Sequence, residues 1–466
     1  MRTIGMNSSL LRAVLPATLV ALLAVGCGRA DSTVNTPAPA SEATQHVAAP
    51  GDLTPTKIYR LPAPTTLAGL ATETISLSTP DSPKQTIGYA VKADTVRVKE
   101  TFVFVDPGSS SKTVDVPIDA TDGAVVHLLP KGEDAKIHDL VLKDVGVFAP
   151  GGMRVSDRLA KKTLDIKGTD AAKPSQMLIL EPALKAGNYA VKVGAAAASN
   201  GVAIHVQMPN SKIAMELTPS ATMVYVGDEG HVTIKLLDDA AGIAGATLDG
   251  KLIKPDGTAG PNVSFKEIGD GVYQTTVSEV LGLGDANGVY NVFVHAVGKT
   301  SAGVAFDRFG ASAFEFVVPN AKIAGLGEVR AVRDAAGKVS KFEVDVDVAA
   351  MSKDRYEVSA TITAPGPDGT ERTVSEGQTA AVTEEGTHTI TLSFDAGNLA
   401  LSKLEGPYRV RKLQLFSQGY GVTLHRIGFG LEAQLPAIKV AEMAPLAFVR
   451  PGVDEMIQNG AFDLTK

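Results

Sequence analysis

Histidines are the first residues to examine for chemistry, because their side chains bind metals and transfer protons near neutral pH. The eight histidines are scattered along the chain, at positions 46, 127, 138, 205, 231, 295, 388 and 425. None lies in a His-Glu-x-x-His pattern, which would place two imidazoles on one helix face to bind zinc. His127 and His138 flank a short acidic stretch, although a polar loop explains that arrangement more simply. The histidines therefore indicate no zinc hydrolase.

The usual nucleophile and phosphate-binding patterns are also missing from the sequence. No Gly-x-Ser-x-Gly elbow is present, and no glycine-rich loop opens a helix in the way that cradles a phosphate. The glycines occur instead in turns between predicted strands. We therefore predict that the protein is not an enzyme and uses no cofactor.

Aspartate-rich turns are a second place to look for a metal, because calcium prefers oxygen ligands. The candidate calcium ligands are Asp238 and Asp239 in one turn, and Asp285 and Asn287 in another. Asp and Asn are also favoured in tight turns, because they tolerate positive φ. Neither turn matches the twelve-residue calcium loop. We interpret these four residues as turn formers and predict no metal site.

The only cysteine of the chain, Cys27, follows an apolar N-terminal segment. Residues 1–12 carry two arginines and no acid, and residues 13–25 are apolar apart from Thr18. A basic start, an apolar stretch and small residues before the cleavage point are typical of a secretory signal. The apolar run is shorter than the roughly 20 residues that span a bilayer as a helix. The sequence therefore predicts a signal peptide over residues 1–26.

The residues Ala24-Val25-Gly26-Cys27 resemble the lipobox of bacterial lipoproteins, whose cysteine becomes the lipidated first residue. The match departs from the family at Ala24, where leucine is favoured, and an ordinary signal peptide with a chance cysteine is the alternative. The resemblance implies acylation of Cys27, as with palmitate, and anchoring to a membrane. The residue after Cys27 is Gly28 and not the aspartate that acts as a sorting signal in such lipoproteins. By the same resemblance, this implies delivery to the outer membrane, with the chain facing either the periplasm or the cell surface.

Composition limits the possible partners. The formal net charge is −7, and no basic stripe is present, which argues against nucleic acid. A single cysteine allows no internal disulfide, so that apolar cores must hold each domain. Tryptophan is absent and aromatic residues make up 5% of the chain. This scarcity weakens a sugar-binding interpretation, because sugar-binding modules usually stack sugars on exposed aromatic rings.

Apolar and polar residues alternate in many short segments, which predicts an all-β chain of antiparallel strands. Clear examples are residues 113–116, 187–193, 341–348 and 387–394. The glycines and prolines are spread along the chain and fit turns between such strands. Within residues 57–209, only residues 157–163 fit a short helix or an extended loop.

A segment rich in Ala, Pro, Ser and Thr comes first and predicts a tether. The groups of predicted strands that follow it predict three tandem β-sandwich domains. The predicted segments are a signal peptide (1–26), a disordered tether (27–56), an N-terminal β-sandwich (57–209), an immunoglobulin-like domain (212–319), a C-terminal β-sandwich (321–436) and a tail (437–466).

The second of these domains resembles bacterial immunoglobulin-like domains. The resemblance lies in a Pro-Asp-Gly-Thr turn at 255–258, a Gly-Asp-Gly-Val-Tyr corner at 269–273 and a late Gly-x-Tyr-x-Val strand at 288–292. It implies a sandwich with Tyr273 and Tyr290 buried. The whole layout resembles bacterial envelope lipoproteins of unknown function built from such sandwiches.

Three functions fit this sequence. The first is a non-catalytic binding or scaffold lipoprotein, attached to the membrane through Cys27 and contacting a protein or an envelope polymer. The second is a surface adhesin or host-interaction factor. The third is an enzyme that acts on an envelope polymer with carboxylates from distant residues. The missing catalytic patterns favour the first.

Overall fold

The computed structural model describes residues 44–45, 49, 51–84, 93–108, 110–130, 144–155, 176–180 and 183–446. These residues divide into two compact units. Unit 1 comprises Ala93–Gly284 and Val289–Glu315, and unit 2 comprises the described residues before Lys92, Asp285–Gly288 and those from Phe316 onward. The predicted signal peptide, Cys27, His138 and the possible helix at 157–163 lie outside the described residues.

Strands dominate the described chain. In chain order they begin with β1 (Thr44–Gln45), β2 (Ile75–Pro80), β3 (Val96–Val98), β4 (Glu100–Val105), β5 (Lys112–Ile118), β6 (Val125–Pro130), β7 (Val145–Phe148), β8 (Gln176–Ile179), β9 (Gly187–Val193) and β10 (Val202–Gln207). They continue with β11 (Ile213–Pro219), β12 (Met223–Tyr225), β13 (His231–Asp238), β14 (Ala241–Gly242), β15 (Thr247–Ile253), β16 (Ala259–Ser264), β17 (Lys266–Gly269), β18 (Val272–Thr276), β19 (Gly288–Lys299) and β20 (Ala305–Val317). They end with β21 (Ala321–Arg333), β22 (Val339–Ala350), β23 (Asp354–Pro365), β24 (Glu371–Thr383), β25 (Gly386–Asp395), β26 (Arg409–Ser417), β27 (Val422–Ile427) and β28 (Ala433–Gln434). Two short helices, α1 (Ala195–Asn200) and α2 (Ala396–Ser402), and three 3₁₀ turns (Thr65–Gly69, Val277–Glu279 and Val440–Glu442) complete the described elements.

This antiparallel, predominantly β architecture confirms the all-β class that the alternating pattern predicts. Strand β22 shows why alternation predicts strands. Its residues Phe342, Val344 and Val346 point into the core, and the polar residues between them face outward. A strand that buries every second side chain needs an alternating sequence. Within the described residues, no helix is long and apolar enough to cross a membrane.

Unit 1 contains four sheets among its described residues. Their strand orders are β4–β10–β6–β8, β5–β9–β7, β17–β18–β13–β11–β3 (with β14 beside β13) and β12–β20–β19–β15–β16. The first two sheets share one apolar core, in which Val116 and Tyr189 of one sheet pack with Leu128 and Ile204 of the other. Each such side chain contributes about 1.5–3 kcal/mol by leaving water.

Tyr273 and Tyr290 are buried in unit 1, with 2% and 0% of their surface exposed, as the sequence predicts. The Tyr290 ring stacks near Phe314, with ring centres 6.1 Å apart. The Tyr273 hydroxyl donates to the carbonyl of Ile243 at 3.1 Å and accepts from the N–H of Ala246 at 2.9 Å. Tyr273 therefore fixes the corner after β14 while its ring fills the core.

A buried arginine links the parts of unit 1. Arg308 of β20 is fully buried and donates to Asp119 at 2.8 Å, to the Ser211 hydroxyl at 2.8 Å and to the Ile213 carbonyl at 2.9 Å. Removing one partner of such a pair leaves a buried charge unpaired, which typically destabilises by about 3–5 kcal/mol. Arg308 and Asp119 therefore hold β20 against the segments before β6 and β11.

Unit 2 contains two sheets among its described residues, in the orders β1–β21–β22–β25 and β2–β24–β23–β26–β27, with β28 beside β26. Phe394 of β25 packs under Gly377 of β24, where an added Cβ would lie 2.6 Å from the ring. Only glycine therefore allows this close approach of the two sheets.

Three buried tyrosines make the same local hydrogen bond. Tyr189 in unit 1, and Tyr356 and Tyr408 in unit 2, each donate from the hydroxyl to the backbone carbonyl four residues earlier, at 2.9, 2.9 and 2.5 Å. This contact resembles the tyrosine corner of immunoglobulin-like sandwiches. It satisfies a hydroxyl that would otherwise be buried without a partner.

A segment that precedes unit 1 in the sequence is part of unit 2. Residues 57–84, assigned to the N-terminal domain at 57–209, belong to unit 2, because β2 pairs antiparallel with β24. Arg355 also donates to the carbonyls of Ala71 and Glu73, at 2.6 and 2.7 Å. The outer backbone N–H and C=O groups of β24 need hydrogen-bond partners. Strand β2, which is far from β24 in the sequence, supplies them.

The described part of the predicted tether is also structured. Leu53 and Arg426 exchange both backbone hydrogen bonds, at 2.8 and 3.0 Å, and Thr44–Gln45 pairs with β21. At the other end, Met443 of the predicted tail is buried, and the N–H of Ala444 donates to Val339 at 2.7 Å. Both segments therefore pack on unit 2 as far as they are described.

Candidate ligand-binding groove

A groove of about 410 Å³ lies on the outer face of the sheet β2–β24–β23–β26–β27 in unit 2. One row of paired residues crosses the whole sheet. The row runs Leu77, Gln378, Ser359, Gln414, Arg426 and Leu53, each opposite the next on the neighbouring strand or segment. Because residues directly opposite each other share a face, all six side chains lie on the same side of the sheet.

A second row lies two residues away and extends the groove. Thr79 pairs with Glu376, and Glu376 pairs with Thr361. Thr79, Glu376 and Thr361 also line the groove. Together the two rows supply hydroxyls, carboxamides and one carboxylate along the floor, with leucines at the two edges of the sheet.

A β-bulge directs Lys412 into the groove. Between the pairs Ser359–Gln414 and Thr361–Arg411, β23 has one residue and β26 has two, Lys412 and Leu413. Leu413 is fully buried in the core, and the inserted residue Lys412 lines the groove. Without this insertion, the alternation of β26 could not place Arg411 and Gln414 on the same face.

The backbone of Lys412 is in the left-handed region, with φ at +52°. This conformation is unfavourable by about 1–2 kcal/mol for a residue with a side chain, and bulges of this type commonly have glycine there. The bulge therefore holds a lysine where glycine would be less strained.

The two cations of the groove have no carboxylate partner in the described ranges. Neither the Lys412 ammonium nor the Arg426 guanidinium has a described carboxylate within 4.0 Å. Arg426 donates to the Thr423 hydroxyl at 3.5 Å, and its Nε is buried without a hydrogen-bond partner among the described residues. Neighbouring Arg411 has a buried Nε without a hydrogen bond as well, but two carboxylates lie within ion-pair distance of it, Glu371 at 3.2 Å and Glu432 at 2.7 Å.

Glu376 is the acidic residue of the groove. Loss of surrounding water raises the pKa of its carboxyl, the nearby charge of Asp81 raises it further, and Lys412 opposes both effects. The groove thus combines two unpaired cations with a carboxylate that binds its proton more tightly than usual. It can bind an anionic group and hydrogen-bond to hydroxyls.

The calcium candidates lie elsewhere and act as turn residues or backbone caps. Asp239 has φ at +55° in the turn between β13 and β14, and its carboxylate pairs with Lys212 at 3.1 Å. Asp238 ends β13 beside it. Asn287 accepts the N–H of Val318 at 2.5 Å, and Asp285 lies in the same loop. In the part of the chain that the structure describes, no three His, Cys, Asp or Glu residues are placed to bind a metal.

A further pair of aspartates and the candidate histidine His127 also have partners in the structure. Asp345 and Asp347 share one face of β22, where Asp345 pairs with Arg330 at 2.8 Å. His127 lies beside His205, with ring centres 5.3 Å apart. Burial lowers the pKa of His127, and the adjacent His205 lowers it further. No sequence pattern indicates the groove, because its residues become neighbours only through strand pairing.

These features define a multi-sheet β protein with a polar groove on unit 2. Residues 324–432 match the family model described as the C-terminal domain of a domain of unknown function (DUF4785). This range contains most of the groove, although Leu53, Leu77 and Thr79 lie outside it. Comparison with curated proteins finds no match.

Solved structures extend the similarity to most of the chain. A DUF4785 family protein from Legionella pneumophila subsp. pneumophila strain Philadelphia 1 is similar over 84% of this chain and 99% of its own, with a TM-score of 0.60 and 17% identity. At that identity the likeness concerns the fold alone. A Bacillus licheniformis lipase in its propeptide form matches over 50% of this chain and 44% of its own, with 12% identity and a TM-score of 0.26, which carries no argument.

Proposed function

We propose that this protein is a non-catalytic binding lipoprotein of the bacterial cell envelope and that the groove of unit 2 is its ligand site. In this proposal, Cys27 carries the lipid anchor. The mature chain folds as immunoglobulin-like sandwiches and binds an envelope component. The tyrosine contacts at Tyr189, Tyr356 and Tyr408 support the immunoglobulin-like assignment.

The observation that carries the proposal is the pair of unpartnered cations in the groove. Lys412 and Arg426 line the same groove, and no described carboxylate, including that of Glu376, lies within 4.0 Å of either charged group, so that an anionic ligand would stabilise both cations. A bound anion would pair with both cations.

The groove favours binding over catalysis. Glu376 is the one carboxylate among the lining residues, whereas hydrolysis of a glycosidic bond ordinarily uses two carboxylates on opposite sides of the bond. The lining residues also include no histidine or cysteine that could serve as base or nucleophile. The geometry therefore supports a site that holds a ligand unchanged.

Photocrosslinking in living cells tests this function with the full chain. A photoreactive amino acid at position 414 lies in the groove, and the same amino acid at position 389 lies on β25 of the other sheet. We expect a crosslinked adduct from position 414 that disappears when Lys412→Ala and Arg426→Gln are combined. Equal adducts from both positions, or an adduct that survives the double substitution, would contradict a ligand site in the groove.

A further inference from the structure

The hydrogen-bonding groups of the groove restrict its ligand. Gln378, Gln414 and Ser359 lie side by side in one row. A carboxamide donates and accepts at once, and so does a hydroxyl. No described residue hydrogen-bonds to the side chains of Gln378 or Ser359. Groups of this kind complement a ligand whose own groups both donate and accept, as sugar hydroxyls do.

The shape of the row favours a short chain over a compact molecule. Neighbouring strands lie about 4.8 Å apart, so that the six positions from Leu77 to Leu53 span roughly 24 Å. The volume of about 410 Å³ is in the usual range for a small-molecule site. A ligand of a few linked rings would fill such a shallow, elongated site.

The leucines of the row lie at its two ends, and the apolar lining residues between them, Ala360 and Leu413, are buried below the floor of the groove. Leu77, with 53% of its surface exposed, lies at one edge of the sheet, and Leu53 lies at the other. Protein partners usually require an apolar centre with aromatic anchors, and single-stranded nucleic acids require aromatic rings for stacking. The lining residues contain no aromatic ring. The groove therefore has the features of neither partner, and a sugar chain bound there would be held by hydrogen bonds and by Leu77 instead of by the aromatic stacking that sugar-binding modules usually use.

The charges indicate that the sugar chain is acidic. Lys412 and Arg426 outnumber Glu376 in the groove, although the whole chain has a net charge of −7. Arginine pairs with carboxylate or phosphate through two parallel hydrogen bonds. The strained backbone of Lys412 is a further indication, since strain is often retained where a residue acts on a ligand.

We infer that the groove binds an oligosaccharide carrying carboxylate or phosphate groups. The inference rests on the proposed binding function and names its ligand class. The sugar hydroxyls contact Gln378, Ser359 and Gln414. The anionic group lies against Lys412 and Arg426, and Leu77 contacts the apolar face of a ring.

A glycan array probed with the detergent-solubilised full chain tests this inference. The array carries uronic-acid oligosaccharides, phosphorylated oligosaccharides, neutral oligosaccharides of equal length, and hexaglutamate as an acidic peptide. We expect binding to one or both acidic sugar classes, and the two arms identify whether carboxylate or phosphate is recognised. Binding should weaken as salt rises from about 50 to about 300 mM, because the ion pairs are partly screened.

Matched variants separate the groove from general charge. Lys412→Ala and Arg426→Gln should each weaken binding about tenfold, the effect of losing roughly 1.4 kcal/mol. Lys403→Ala is the control, because Lys403 is an exposed lysine with a similar φ of +58° outside the groove. It should bind like the wild type. Circular dichroism of each variant verifies that it is folded.

The outcomes distinguish the ligand class from the function. Equal binding of neutral sugars or of hexaglutamate overturns the inference, and so does undiminished binding by the Lys412 and Arg426 variants. If no acidic sugar binds while the adduct from position 414 still forms in cells, the ligand class is wrong and the binding function stands. If the adduct also fails to form, both proposals fail.

Discussion

Two lysines of unit 2 have the same unusual backbone conformation in different surroundings. Lys403 caps the C-terminus of α2 with φ at +58°, and its N–H donates to Ala400 at 3.2 Å. Lys412 occupies the bulge of β26 with φ at +52°. At a helix end, a left-handed residue satisfies a carbonyl that would lack a partner. At the bulge, it directs a charged side chain into the groove.

Replacing either lysine with glycine should therefore leave the protein as stable or slightly more stable. Glycine removes about 1 kcal/mol of left-handed strain, partly offset by the greater freedom of the unfolded chain. We expect Lys403→Gly and Lys412→Gly each to shift the thermal unfolding midpoint by 0 to about +4 °C. Calorimetry measures the shift. A fall of several degrees for Lys412→Gly alone would show that its side chain stabilises the bulge.

Among the elements, the neighbouring strands β19 and β20 carry a pH-sensitive contact within unit 1. His295 lies 2.9 Å from the Asp307 carboxylate, which also accepts from the Thr101 hydroxyl of β4. Burial lowers the pKa of His295, but the hydrogen bond and charge of Asp307, aided by Asp249, outweigh burial and raise the pKa overall. The folded state therefore binds this proton more tightly than the unfolded state.

The sign of the resulting pH dependence follows from linkage. The stabilisation from His295 is fully present below its unfolded pKa of 6.5 and is lost as the pH rises through the higher folded value. We expect His295→Gln to lower the melting temperature more at about pH 5.5 than at about pH 8.5. In an Asp307→Asn background, this difference should shrink. A larger effect of His295→Gln at the higher pH would contradict the assignment.

Individual strands could be predicted from the sequence, whereas their partners could not. Alternation predicted β9 at residues 187–193 with the bounds that the structure has. It missed β21, whose pairing with β22 is interrupted by three register shifts, so that its pattern is irregular. The groove escaped prediction for a related reason. The row of paired residues across the groove joins positions as distant in sequence as Leu53 and Arg426. Lys412 reaches the groove only because of a bulge, and alternation does not predict a bulge.

At the scale of the whole molecule, the packed N-terminal segment limits the distance between unit 2 and the membrane to which Cys27 is proposed to attach. The predicted tether ended at residue 56, but pairing with unit 2 already begins at Thr44. The 17 residue steps from Cys27 to Thr44 can extend at most roughly 60 Å. In the proposed arrangement, the lipid on Cys27 would therefore keep the start of β1 within that distance of the membrane, and an envelope ligand must be accessible there.

Substitution of Cys27 tests the anchor itself. Each methylene of an acyl chain contributes about 0.8 kcal/mol in the bilayer, so that several chains hold a protein firmly and their loss releases it. We expect Cys27→Ser to abolish metabolic labelling by an alkyne fatty acid and to move the chain out of the membrane fraction. Gly28→Asp is the control, because it alters the next residue and leaves the cysteine available for acylation. A Cys27→Ser chain that is still labelled would show that lipid is attached elsewhere, and an unlabelled wild type would show that residues 24–27 are not a lipobox.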